Sequence, residues 1–211
     1  MNFQTYILDF DGTIADTAPL IIATKRATVK ELGLPPKTDA EFKGTIGLRL
    51  IDVPNVLWPE FPGIGEKYAE TYRIIFEEIK SKYPVKLFPG VTETLNSLKE
   101  NGKTLTIATS RGKISLYSLL HDLGIAGYFD MVVGGEDVKN GKPSPEAVLK
   151  ILKELKENPR NAVVVGDMPV DISMGKAAGT STCAVTYGNA SIQNLKISEP
   201  DYLIDSFSEL L

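Results

Sequence analysis

Short apolar runs separated by longer stretches of mixed polarity set the frame of this chain. They fall near residues 3–9, 103–109, 130–134, 162–166 and 181–185, with a brief late one near 201–204. Their length and their Val, Ile and Leu content suit buried strands. Between them, apolar residues recur at helical spacing over 91–101, 113–123, 144–156 and 169–178. Gly102, Gly124, Gly166 and Gly179 stand where turns are needed. Strands alternating with helices predict an α/β fold, a parallel sheet wrapped by right-handed crossovers. No Gly-x-Gly-x-x-Gly follows the first strand, so a dinucleotide site has little support.

Residues 16–84 break the alternation. Leu20 to Leu32 and Glu66 to Lys82 read as helices, and the segment is several times longer than an ordinary crossover. It predicts an inserted helical unit, left through Ile14–Asp16 and rejoined through Pro84–Pro89. The domain division is therefore 1–15 with 85–211 for the α/β core and 16–84 for the insert. Trp58, Tyr68, Tyr72 and Phe76 lie in the insert at helical spacing and read as packing.

The first strand runs straight into Asp9-Phe10-Asp11-Gly12-Thr13. Two carboxylates beyond the C-terminal end of a buried strand lie where open α/β sheets bind ligands. Placing them side by side is costly unless a cation or a shared proton offsets the charge. Three further polar motifs each follow an apolar run. They are Thr109-Ser110, then Gly141-Lys142-Pro143, then Gly166-Asp167-Met168-Pro169-Val170-Asp171. In order, spacing and setting, the four motifs resemble those of the haloacid dehalogenase-like hydrolases, over essentially the whole chain. The branch it looks nearest is the capped, phosphoglycolate phosphatase-like one.

The resemblance implies a Rossmann-like parallel sheet core with an inserted small helical cap, and a Mg²⁺-dependent phosphatase acting on a small-molecule phosphomonoester. By position, Asp9 matches the nucleophile that forms an aspartyl-phosphate, and Asp11 the general acid/base. Aspartate at position 11 favours phosphoryl transfer over carbon–halogen cleavage, because the dehalogenase branch lacks it. Thr109, Ser110 and Lys142 match the phosphate-binding positions. Asp9, the backbone carbonyl of Asp11, Asp167 and Asp171 match the metal site. Oxygen ligands without clustered His or Cys suit Mg²⁺ rather than zinc. Two readings stand together at several positions. Thr109-Ser110 serves as a helix N-cap as readily as an anion site. Asp171 is a metal-supporting carboxylate or a first-turn helix acid. Arg49, in Gly47-Leu48-Arg49-Leu50, is a substrate contact from the cap or a surface arginine.

Composition adds limits. The 211 residues, 43% of them hydrophobic, suffice for a sizeable core. A net charge of −4 without a basic run argues against nucleic acid and membrane surfaces as partners. No run approaches the roughly 20 apolar residues of a membrane helix, and no signal peptide precedes the first motif. A cytoplasmic monomer is the expectation, with a small phosphorylated metabolite as its partner. The single cysteine, Cys183, reads as a buried strand residue, and the single histidine, His121, as a helix-surface residue. The alternatives are a β-phosphoglucomutase-type mutase, an inorganic pyrophosphatase, or a non-catalytic phospho-acceptor. Mutases of that branch carry an acidic-Asp pair where this chain has Gly166-Asp167. Phospho-acceptor receivers lack both the partner acid and the insert.

Overall fold

The computed structural model describes residues 1–211. Six short strands form one parallel sheet: β1 (Thr5–Leu8), β4 (Thr104–Ala108), β5 (Met131–Val133), β6 (Ala162–Gly166), β7 (Ser181–Val185) and β8 (Tyr202–Ile204). Their spatial order is β5-β4-β1-β6-β7-β8. All four residues of β1 and all five of β6 are buried, because helices cover both faces of the sheet and leave no polar side. That is why the strands read as continuous apolar runs rather than alternating ones.

The order places β1 between β4 and β6, so the chain winds outward in both directions from it. A crevice opens at such a reversal, beyond the carboxyl ends of the strands. Asp9 follows β1, Thr109 follows β4 and Asp167 follows β6, each with no intervening residue. The backbone carries the ladder one step further on both sides. Asp9 N donates to Val165 O at 2.9 Å and Thr109 N to Val133 O at 3.0 Å. Asp9 and Thr109 are thus fixed by sheet hydrogen bonds rather than by loop packing.

After β1 the chain forms a two-residue strand, β2 (Ala15–Asp16), which pairs antiparallel with β3 (Lys86–Leu87). Between the two lie four helices: α1 (Ala18–Glu31), α2 (Asp39–Lys43), α3 (Val53–Leu57) and α4 (Gly65–Ile79). α1 packs along α4. Trp58, Tyr68, Tyr72 and Phe76 are buried there, as their spacing suggested, in a file of tilted and stacked rings. The short α2 and α3 are additions to the sequence expectation. Helices α5 (Val91–Glu100), α6 (Lys113–Asp122), α7 (Glu146–Leu155) and α8 (Pro169–Ala178) are the crossovers of the sheet, and α9 (Ile192–Ile197) precedes β8. Cys183 is buried in β7, where burial pushes its thiol up to about 12, and His121 is exposed on α6. No helix is long and apolar enough to cross a membrane.

Candidate active site

The site grows from the three strand ends and one loop. Asp9, Asp167 and Asp171 are all buried, and an oxygen of each lies within 4.8 Å of the others. Lys142, from the loop between β5 and α7, reaches into this cluster. Its Nζ donates to Asp9 Oδ1 at 2.6 Å and to Asp171 Oδ1 at 2.7 Å. Burial alone would lower the ammonium, but Asp171 and Asp9 more than offset it, so Lys142 stays charged. Burial pushes Asp9 up to about 7, against the pull of Lys142 and with the push of Asp171 and Asp11. Asp167 is raised by burial and then by Asp171 and Asp9. Three carboxylates facing one lysine leave the centre short of positive charge.

Two glycines make room for this crowding. A side chain at Gly12, whose φ is +87°, would run into Asp167 and Asn189, and one at Gly188 would run into Asp167. Asn189 N donates to Asp167 Oδ2 at 2.6 Å. The other oxygen, Oδ1, is buried without a partner, and an orphaned carboxylate oxygen in such a place is costly. A hard divalent cation held by Asp9, Asp167 and Asp171 meets both the missing charge and the missing partner. The residues present therefore fit a metal. Asp171 also serves the helix: its Oδ2 accepts from Met168 N at the start of α8, at 3.0 Å. Asp171 is thus a first-turn helix acid whose other oxygen, Oδ1, accepts from Lys142 within the carboxylate cluster.

Asp11 lies apart from that cluster. Its carboxylate accepts from Arg111 Nη2 at 2.6 Å, from Arg111 Nε at 3.1 and 3.2 Å, and from Thr17 Oγ1 at 2.6 Å. Of the residues expected at the metal, Asp11 thus keeps only its backbone carbonyl for that purpose. Thr17 is the residue before α1 and makes no side-chain cap there; its hydroxyl is spent on Asp11 instead. Asp16, the adjacent hinge aspartate, is exposed. Arg111 is buried, flanked by the rings of Phe76 at 5.2 Å and Phe10 at 6.0 Å. Sequence reasoning gave Arg111 no role, although it stands next to Thr109-Ser110. Its partner is 100 residues away, and only the pairing of β1 with β4 brings the two together.

Thr109 is buried at the end of β4, and its Oγ1 accepts from Arg111 N at 3.2 Å. Ser110 Oγ donates to Gly47 O at 2.6 Å, so this residue ties the core to the helical insert. Arg49 behaves similarly. Its Nη1 donates to Lys139 O at 2.8 Å while Nε and Nη2 hold Asp52. It is neither a free surface arginine nor a free substrate contact.

A cavity of about 680 Å³ lies between sheet edge and insert. Asp9, Asp11, Thr109, Ser110 and Arg111 line it from the sheet side, and Lys25, Thr45, Arg49, Tyr72 and Phe76 from the insert. A compartment closed on one side by helices and floored by phosphate-sized polar groups can admit a small ligand and exclude bulk water.

Comparison with known proteins agrees with this geometry. Residues 6–185 match the model of a family described as haloacid dehalogenase-like hydrolase. A phosphoglycolate phosphatase of Aquifex aeolicus is 35% identical over 208 residues, spanning 95% of each chain. The pyrophosphatase PpaX of Bacillus velezensis is 35% identical over 209 residues, 97% of this chain and 93% of its own. A solved Bacteroides fragilis structure assigned to the same hydrolases superposes with a TM-score of 0.88 at 29% identity, covering 99% of this chain and all of that one.

Proposed function

The chain belongs to the haloacid dehalogenase-like hydrolases and is a phosphatase of the phosphoglycolate phosphatase-like kind; from that premise we propose that it hydrolyses a small phosphomonoester through an aspartyl-phosphate on Asp9. The single observation that carries the residue assignment is the Lys142 bridge between Asp9 and Asp171, inside a buried carboxylate cluster with one oxygen left over. Asp9 attacks phosphorus as the ester P–O bond breaks, and the leaving oxygen takes a proton from Asp11. Water then attacks the acyl-phosphate and gives its proton to Asp11, releasing phosphate and restoring Asp9. In the observed arrangement Asp11 is engaged by three donors as a carboxylate, which is the form that receives a proton from water. Delivering a proton requires it to leave Arg111.

Lys142 and the Thr109 hydroxyl neutralise and position the phosphoryl oxygens, with the backbone amide of Ser110. Mg²⁺ held by Asp9, Asp167 and Asp171 would supply further charge neutralisation at the transferring group. Residues 16–84 act as the cap. The sequence motif Gly166-Asp167 favours hydrolysis over the mutase reaction.

The test is phosphate release from 2-phosphoglycolate, pyrophosphate, hexose phosphates and an aryl phosphate, with Mg²⁺ and with EDTA. Metal-dependent release that falls at least about 10³-fold in Asp9→Asn is expected, with an unchanged circular dichroism spectrum. Turnover by Asp9→Asn near the wild-type rate would remove the nucleophile from the scheme.

A further inference from the structure

The cavity wall carries one lysine, Lys25, for which the reaction gives no account. Lys25 sits on the inner face of α1, at the register of Ile21 and Val29, and is only 2% exposed. Its Nζ donates to Phe42 O at 2.9 Å and to Thr45 Oγ1 at 2.7 Å. It has no carboxylate within ion-pair distance, and Asp11, the nearest source of negative charge, is taken up by Arg111 and Thr17. The other cations on the cavity wall differ: Arg49 is paired with Asp52, Arg111 with Asp11, and Arg73 is exposed. Lys25 alone combines burial with the lack of an anion. A buried ammonium in this state is expensive.

Structural need does not explain it. The Phe42 carbonyl at the end of α2 already accepts from Thr45 N at 3.2 Å and from Thr45 Oγ1 at 2.9 Å. Those groups satisfy one another without any lysine. Methionine would fill a similar volume on this buried helix face without a charge to desolvate. Two of the three ammonium donors are in use, and Lys25 is one of the residues lining the cavity. Burial lowers this lysine to about 7, with Asp11 acting weakly against the shift; an arriving anion would restore its charge.

We propose that Lys25 is an anion subsite in the insert, binding a second negatively charged group, carboxylate or phosphoryl, of a substrate whose first phosphoryl group lies at Asp9. This rests on the phosphatase reading for the position of that first group. It makes Lys25 the residue that selects, among phosphorylated ligands, those with a second anionic end.

The experiment uses the Asp9→Asn protein, which holds ligand without turnover, in Mg²⁺ buffer. Isothermal titration gives dissociation constants for 2-phosphoglycolate, pyrophosphate and ethyl phosphate, with and without Lys25→Met. Relative to ethyl phosphate, the two ligands with a second anionic group are expected to lose at least about tenfold in affinity when Lys25 is replaced. A loss for 2-phosphoglycolate identifies a carboxylate subsite, and a loss for pyrophosphate a phosphoryl one. Lys25→Gln retains a donor to Phe42 and Thr45, and it should shift the ratio as Lys25→Met does. If all three ligands weaken alike, or none does, or Asp9→Asn binds neither 2-phosphoglycolate nor pyrophosphate, the subsite is wrong. Lys25-dependent binding in a protein that, with Asp9 intact, releases no phosphate would overturn the phosphatase assignment and leave the subsite standing.

Discussion

The molecule buries two lysines, Lys142 in the carboxylate cluster at the strand ends and Lys25 in the wall of the cavity, and treats them in opposite ways. Lys142, on the sheet side, lies between two carboxylates at 2.6 and 2.7 Å and is held charged. Lys25, on the insert side, has a carbonyl and a hydroxyl for partners, and burial pulls it down to about 7. At the strand ends one lysine meets three carboxylates, an excess of negative charge that suits a cation, and the backbone ladder fixes Asp9. Across the cavity the positive charge is left uncompensated by the protein. The difference locates the constant and the variable parts of the chemistry. A phosphoryl group and its cation always meet the same preorganised floor, whereas a cation without its own partner in the roof waits for the rest of the ligand.

Removing Lys142 is the strongest way to break that contrast. Lys142→Met leaves Asp9, Asp167 and Asp171 facing one another with no cation from the protein. Breaking a buried ion pair by removing one partner costs about 3–5 kcal/mol, and loss of a preorganised charge at the transferring group costs at least about 10²–10³ in kcat. The expected outcome is a large loss of phosphate release, together with a lower Tm in EDTA that Mg²⁺ partly restores. Calorimetry with and without the metal checks it. A variant as stable as wild type in EDTA would mean that the acids are not the burden described above.

Lys25→Met should act in the other direction on stability. In the folded chain the ammonium titrates near 7, and its ordinary value is 10.5. Between those values the unfolded chain holds a proton that the folded chain has given up, so wild-type stability rises with pH through this window. Below about 7 both states are protonated and the penalty is complete. The advantage of the methionine variant is therefore largest at pH 7, and it shrinks by about 1 kcal/mol per unit toward pH 10. Asp11 is the one charged group acting on Lys25, so the comparison is a clean one. Urea melts of both proteins at pH 7 and 9.5 measure it, and a gap independent of pH would show that Lys25 is not buried as a charge.

How much of this was legible in the sequence follows from where each signal lies. The motif residues at the ends of β1, β4 and β6 could be read because fully buried parallel strands are unbroken apolar runs, and the next residue is polar. The crossovers α5 to α8 were readable from their apolar periodicity. Helices α2 and α3 were not, because five residues complete little more than one turn and show no period. For α2 a local sign exists in Thr38-x-x-Glu41, whose side chains form a capping box. Lys25 also carried a sign: a lysine in register with Ile21 and Val29, four residues from each, on the buried face of α1. Arg111 carried none, since its meaning lies wholly in a partner 100 residues earlier.

The smallest effect is expected at Arg49, which joins the two sides without belonging to either balance. Its guanidinium holds Asp52 within the insert and, through Nη1, the Lys139 carbonyl of the loop that carries Lys142. It packs so closely on this loop that a Cβ at Gly141 would come within 2.9 Å of its side chain. The ion pair with Asp52 is partly exposed, and pairs of that kind contribute about 1 kcal/mol or less. Arg49→Ala should therefore raise KM by severalfold and leave kcat within about twofold of wild type, because closure of the roof is weakened while Lys142 retains both its carboxylates. The effect should shrink with added salt. Steady-state kinetics at two ionic strengths provides the check. A tenfold fall in kcat would instead place Arg49 at the reacting group. The roof would then share in the chemistry, and its separation from the floor would hold for Lys25 alone.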